Sequence, residues 1–359
     1  MKTAILGKGW VTNHGCGEDA VLDAIEQGKS PHVSEMVNPF TNRVHHVALI
    51  AKEDYAEAES FRRARRSSTI TLLALTAAKR AIQNSGIAWS TDVARRTAVI
   101  FVSSDGGVIY TRRFYSEIVK SGASGASPLL FPETVYNAPA SHLCAYFEIE
   151  GDAITLVGDT AVGSNALHHA SEILAMGQAD YCMVVGAEEM DWILCEAYSV
   201  WKQTRDSRER FKKSTHTGAI FAEGAAAILL GRSASSPACK THPGSVFQNQ
   251  REAGRQLQDI YGSLASGVKI NAIVSSANGT PMDAIESAAL TQCFPGVPVH
   301  RIKETLGEAL AAGALQQTIF ATVLAQNQSL KPDEGILVST LGFNGLAGAV
   351  LLTPPETPV

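Results

Sequence analysis

Covalent or proton-transfer chemistry in this chain would have to come from few side chains. Its six cysteines (Cys16, Cys144, Cys182, Cys195, Cys239 and Cys293) form no Cys-x-x-Cys pair. Most lie in apolar runs such as Tyr181-Cys182-Met183, the setting of a reduced, buried thiol and not of a disulfide or zinc ligand. No metal site is expected. A nucleophile also needs a base beside it. Cys144 reads as core among Leu143, Ala145 and Tyr146. Ser164 has no histidine near it in sequence to activate it. Of His168 and His169, on a predicted helix, one reads as surface and one as packed, and His216 reads as a solvated loop residue. Gly7-Lys8-Gly9 and the glycines of 342–348 hint at phosphate cradles. The first lacks the third glycine and the helix of a dinucleotide fingerprint, and the second precedes a strand. Both read as tight turns, and no cofactor is expected.

The surrounding pattern is α/β. Predicted strands at 3–6, 97–102, 153–157, 181–185 and 220–230 alternate with helices at 69–83 and 163–176. Ser67 and Ser68 supply an N-cap for the first helix, which stops near Gly86. Residues 232–245 carry two prolines and no apolar periodicity, the best internal boundary. Helices at 251–264, 282–292 and 310–327 and strands at 270–274, 336–340 and 345–352 follow. The expected division is therefore 1–231, a connecting loop at 232–245, and 246–359.

The chain has 359 residues, 45% hydrophobic and 18% charged, with a mean hydropathy of +0.03. That composition buries a sizeable core and rules out disorder. A net charge of -5 and a pI near 6.1 argue against a nucleic-acid partner. The longest apolar stretches, such as 225–230, fall far short of a membrane span. No secretory signal is expected, because Gly7-Lys8-Gly9 interrupts the first apolar residues, so a cytoplasmic location is expected.

The informative segments come in order: Phe131-Pro132-Glu133-Thr134-Val135-Tyr136-Asn137; the turn Gly158-Asp159-Thr160-Ala161-Val162-Gly163-Ser164; Gly186-Ala187-Glu188-Glu189; Glu223-Gly224-Ala225-Ala226; Asn278-Gly279-Thr280-Pro281-Met282-Asp283; Lys303-Glu304-Thr305-Leu306-Gly307-Glu308; and Leu341-Gly342-Phe343-Asn344-Gly345. Together they resemble the β-ketoacyl synthase family, from about residue 2 to 353. The resemblance implies a thiolase-like fold, two pseudo-repeated α/β halves in an αβαβα layering. Active members hold a cysteine at a strand-to-helix turn, where the helix N-terminus lowers the thiol pKa and backbone N–H groups form an oxyanion hole. Two histidines assist decarboxylation of the malonyl extender.

Carried over residue by residue, the nucleophile position falls on Val162, which cannot form a thioester. The first histidine falls on Ser276 or Ala277, with one residue of the run missing, and the second on Glu308. All three catalytic side chains are replaced, so no catalytic residue is expected. Phe343 matches the aromatic that gates the acyl pocket, and Thr280 and Glu223 are further pocket candidates. Glu308 reads in two ways, as an acceptor for the turn's N–H groups or as a surface helix cap.

The resemblance points to a chain-length-factor-like, non-catalytic subunit of a type II ketosynthase in fatty-acid or polyketide biosynthesis. The shortness of the chain suggests a polyene-type pathway such as aryl polyene synthesis. The expected partners are an active ketosynthase, with a homodimer as fallback, and an acyl carrier protein. Two alternatives are an active synthase or decarboxylase with an unrecognised nucleophile, and an acyl- or carrier-protein-binding protein. An acyl adduct would favour the first, and failure to co-purify with a ketosynthase the second. The basic run Arg62-Arg63-Ala64-Arg65-Arg66 reads as carrier-protein docking or as a solvated turn near Glu57 and Glu59.

Overall fold

In the computed structural model, residues 2–59, 64, 67–205, 217–328 and 330–356 are described. The basic run, apart from Ala64, and His216 lie outside them. The first part of the chain carries β1 (Lys2–Val11), α1 (Glu18–Glu26), β2 (Val33–Val37), β3 (Val44–Ala48), α2 (Ala56–Glu59), α3 (Thr69–Ser85), α4 (Thr91–Arg95) and β4 (Thr97–Ser103). It continues through α5 (Val108–Ser121), α6 (Ala138–Phe147), β5 (Ala153–Val157), α7 (Val162–Ala175), β6 (Tyr181–Glu188), α8 (Trp192–Val200), β7 (Phe221–Ala222) and β8 (Gly224–Ser233). Then come β9 (Ala238–Thr241), β10 (Ser245–Val246), α9 (Gln250–Leu264), β11 (Lys269–Val274), α10 (Met282–Cys293), β12 (Val299–His300), α11 (Lys303–Leu306), α12 (Gly313–Asn327), β13 (Glu334–Leu341) and β14 (Leu346–Thr353).

The strands join in the order β12-β11-β13-β14-β9-β1-β8-β6-β4-β5, with β10 on β14, while β2, β3 and β7 form a small separate sheet. The order hides a repeat. From β5 to β1 the strands stand third, second, fourth, fifth, first in their half, and from β12 to β9 they do the same. In both halves the first three pair in parallel and the last two antiparallel. The segment 232–245, expected to be a loop, contributes β9, and a single register pair, Ala4 with Ala238, joins the halves.

Two helices fill the layer between the halves. Leu315, Ile319, Phe320, Ala321 and Val323 cover all faces of α12, and a helix apolar all round must be buried. Its Thr318 and Thr322 hydroxyls donate to carbonyls one turn back, so they enter the core satisfied. Val162, Ala166, Leu167 and Leu174 of α7 share that core with Leu315 and Ile319. On the outer face α3 packs on β1, and this explains the first glycine motif. Gly7 and Gly9 lie inside β1, not in a turn, and an ideal Cβ on either would overlap the Ala81 or Ala77 carbonyl oxygen of α3. The glycines buy a close helix–strand approach.

Candidate functional site

The strand-to-helix turn after β5 is built around Asp159. Its carboxylate accepts the N–H groups of Ala161 and Asn344, both at 3.1 Å, and its carbonyl accepts the Val162 N–H at 2.9 Å. Burial raises the Asp159 pKa, and these N–H donors oppose the rise. Gly342 lies so close that a Cβ there would overlap the Asp159 carboxylate, which is why glycine precedes Phe343. Val162 opens α7 with its side chain packed in the inter-sheet core, 4% exposed, and its N–H engaged by Asp159. Ser164 donates to the Ala161 carbonyl and meets Thr340, not a base.

Glu308 comes to this turn from the other half. Gly307, at φ +78°, turns the chain after α11, and Glu308 then exchanges backbone hydrogen bonds with Ile220 and Ala222 beside β7. Its carboxylate accepts the Thr160 hydroxyl at 3.0 Å, the Lys303 ammonium at 2.8 Å and the Asn278 amide at 2.6 Å. Lys303 also donates to Thr160 at 2.9 Å. The Lys303 and Glu308 side chains are 2% and 0% exposed. The surface-cap reading of Glu308 is thus excluded, and the acceptor reading is corrected. Its donors at the turn and around it are side chains, not the turn's N–H groups.

Ser276 is not brought to Glu308. Its hydroxyl donates to Glu286 at 2.7 Å and accepts the Leu341 N–H. Asn278 reaches Glu308 instead, held because Asp283 accepts the N–H groups of Asn278 and Gly279, and because the Asn278 side-chain oxygen Oδ1 accepts from the Thr280 N–H and hydroxyl. Thr280 is buried and braces Asn278. Glu223 is buried elsewhere, accepting the N–H groups of Ile50 at 3.0 Å and Met190 at 3.3 Å, and its pKa is raised by burial.

Phe343 is half-buried, edge-on to Tyr198 at 5.8 Å and to Phe221 at 6.4 Å, while Tyr198 stacks on Phe221 at 4.3 Å. The Tyr198 hydroxyl donates to Asp105 at 3.1 Å. Burial pushes up the pKa values of Asp105, Tyr198 and Glu188. Asp105 and Tyr198 escape sequence reading because they lie 93 residues apart in loop and helix with no shared motif.

Five of the six thiols sit where burial disfavours the thiolate. Burial raises the pKa of Cys16, Cys144 and Cys293, and pushes Cys182 and Cys239 up to about 12, opposite to the depression a reactive thiolate needs. His168 and His169 are both half-buried and both face Glu172, so neither is purely surface. Among the described residues no group of three or more potential ligands could hold a metal ion, and no helix is long and apolar enough to cross a membrane.

A family profile described as "Beta-ketoacyl synthase, N-terminal domain" matches residues 33–236. The chain is 22% identical to the 3-oxoacyl-[acyl-carrier-protein] synthase 2 of Coxiella burnetii, over 98% of both chains. A solved β-ketoacyl synthase from Burkholderia phymatum superposes with a TM-score of 0.81 at 18% identity, covering 98% of this chain and 99% of the other. The ishigamide ketosynthase/chain length factor gives 0.79 at 18% identity, with 99% of each chain covered.

Proposed function

The chain belongs to the β-ketoacyl synthase family, and within it we propose a chain-length-factor-like role: a non-catalytic subunit that pairs with an active ketosynthase and shapes its acyl pocket. One observation carries this reading, the buried Lys303–Glu308 pair with Thr160 and Asn278 on it. Condensation requires a thiolate that leaves and returns, and groups that stabilise an enolate. Here the nucleophile position is a core valine, and the polar centre beside it is neutralised and hydrogen-bonded to itself. Asn278, from the Asn-Gly-Thr-Pro run, takes the first histidine's place in this reading. Glu308 takes the second.

The pairing surface of this proposal is the free edge of β5. The strand ends the large sheet, and an edge strand with apolar side chains invites a partner. Val157 is 53% exposed there, and Tyr115, Val119, Leu129, Phe131, Val135 and Tyr136 form a further exposed apolar set on the segment before it. An interface on the order of 2,000 Å² or more is expected. The acyl carrier protein partner rests on the activity that the Coxiella relative's name states. Compactness is the sole support for the polyene-type pathway.

Co-expression with a triad-bearing ketosynthase tests the role, with light scattering on the purified protein. The expected product is a stable heterodimer, and Val157→Asp is expected to release monomers, because a carboxylate buried in an apolar interface costs several kcal/mol. Val157 is a cleaner probe than Ile154, which packs against the core. A wild-type chain that stays monomeric at micromolar concentration with the ketosynthase present removes the subunit reading.

A further inference from the structure

Lys8, set aside with its glycines as a turn, stands in an unusual place. Successive strand residues face opposite sides, so while Gly7 and Gly9 admit α3, the Lys8 side chain enters the other face of β1. It is 7% exposed, and its ammonium meets Glu18 at 3.0 Å and Gln326 at 3.4 Å. It lines an open cleft of about 320 Å³ with Trp10, Glu18, Arg80, Gln83 and Asn84. That is the lower end of the roughly 300–1,000 Å³ that small-molecule sites occupy.

Hydrogen-bond accounting shows what the cleft lacks. An ammonium has three donors and a guanidinium five. Lys8 uses two, one of them long, and Arg80 uses one, from Nη1 to the Cys16 carbonyl at 3.0 Å. The remaining donors have no partner among the described residues. The Asn84 side-chain oxygen Oδ1 is already taken by the Lys8 backbone N–H. Glu18, the one acid in the lining, has a side chain 41% exposed at the start of α1, free to turn to water. We infer that this cleft binds the phosphoryl group of a small molecule, with Lys8 below and Arg80 across from it. Donors from β1 and α3 lining one cleft suit a tetrahedral oxyanion with three terminal oxygens, where a planar carboxylate would satisfy fewer, and Arg with Lys is a strong phosphate pair.

The test is calorimetric titration of the whole chain with inorganic phosphate, pyrophosphate and succinate at matched ionic strength. Saturable binding of pyrophosphate, tighter than succinate, is expected. Arg80→Gln should weaken it about tenfold or more, since charge-assisted hydrogen bonds are lost, whereas Arg95→Gln, at an exposed ion pair away from the cleft, should not. Lys8→Met should act like Arg80→Gln. If that buried change prevents folding, Arg80→Gln alone decides. Three results overturn the inference: no saturable binding of either phosphate up to about 10 mM, an affinity outside the useful range; equal loss in Arg80→Gln and Arg95→Gln; or succinate binding as tightly as pyrophosphate.

Discussion

Glu308 and Glu223 are both buried and both lie beside β7, yet their carboxylates are held in different ways. Glu223 accepts two backbone N–H groups and has no cation, so burial raises its pKa. Glu189 follows the same scheme with the N–H groups of Ile70 and Ile109, and its pKa rises to about 7. Glu308 has a buried lysine. Neutral donors suffice for a carboxyl that ties loops together and can take up a proton. The Lys303 ammonium instead meets the Glu308 carboxylate at 2.8 Å inside the core, and Thr160 and Asn278 complete its hydrogen bonds.

The largest effect expected from breaking this contrast is at Glu308. Glu308→Leu strands the Lys303 ammonium in the core and should cost about 3–5 kcal/mol in urea unfolding. Lys303→Met combined with Glu308→Leu should recover most of that loss, because an apolar pair of similar volume replaces a buried ion pair at little cost. A double variant as unstable as the single one would show that the pair is not the unit that matters.

Glu189 sharpens the other side. Its folded pKa lies above the ordinary 4.5, so the folded state holds a proton that the unfolded state has released. Stability from this group is full below 4.5 and falls as pH rises towards 7, by about 3 kcal/mol in all. Thermal unfolding of Glu189→Gln should therefore fall less steeply over that window than the wild type. Parallel curves would place the titration elsewhere. The smallest effect is expected at Asn278. Asn278→Ala removes one neutral donor from a charged acceptor, worth about 1.5–3 kcal/mol, and leaves the ion pair intact. A loss as large as that of Glu308→Leu would make the amide, not the lysine, the keystone.

Much of this was legible in the sequence. Residues 97–102 read as a strand because they are apolar without alternation, as a strand covered on both faces must be, and β4 is buried throughout. The helix α7 and its turn were visible for the same local reasons. The errors came where a residue serves a distant neighbour. Gly7 and Gly9 look like a turn until α3 is laid across them, and β9 has too little periodicity to announce itself beside two prolines. At the site, Val162 and Glu308 were placed by their flanking residues. The contact of Asn278 with Glu308 was missed because the two lie 30 residues apart in the chain with no shared motif. Asp105 and Tyr198 meet solely through the fold.

The central proposal is that this chain does no acyl chemistry of its own. Intact-mass spectrometry after incubation with an acyl-loaded carrier protein, on the wild type and on Val162→Cys, tests it most directly. The wild type should keep its mass. The variant should show no condensation product even if the new thiol reacts, since a thiolate without its partner groups recovers little of a cooperative site. An acyl adduct on a native cysteine or serine of the wild type, or a condensed product from the chain alone, would contradict the account.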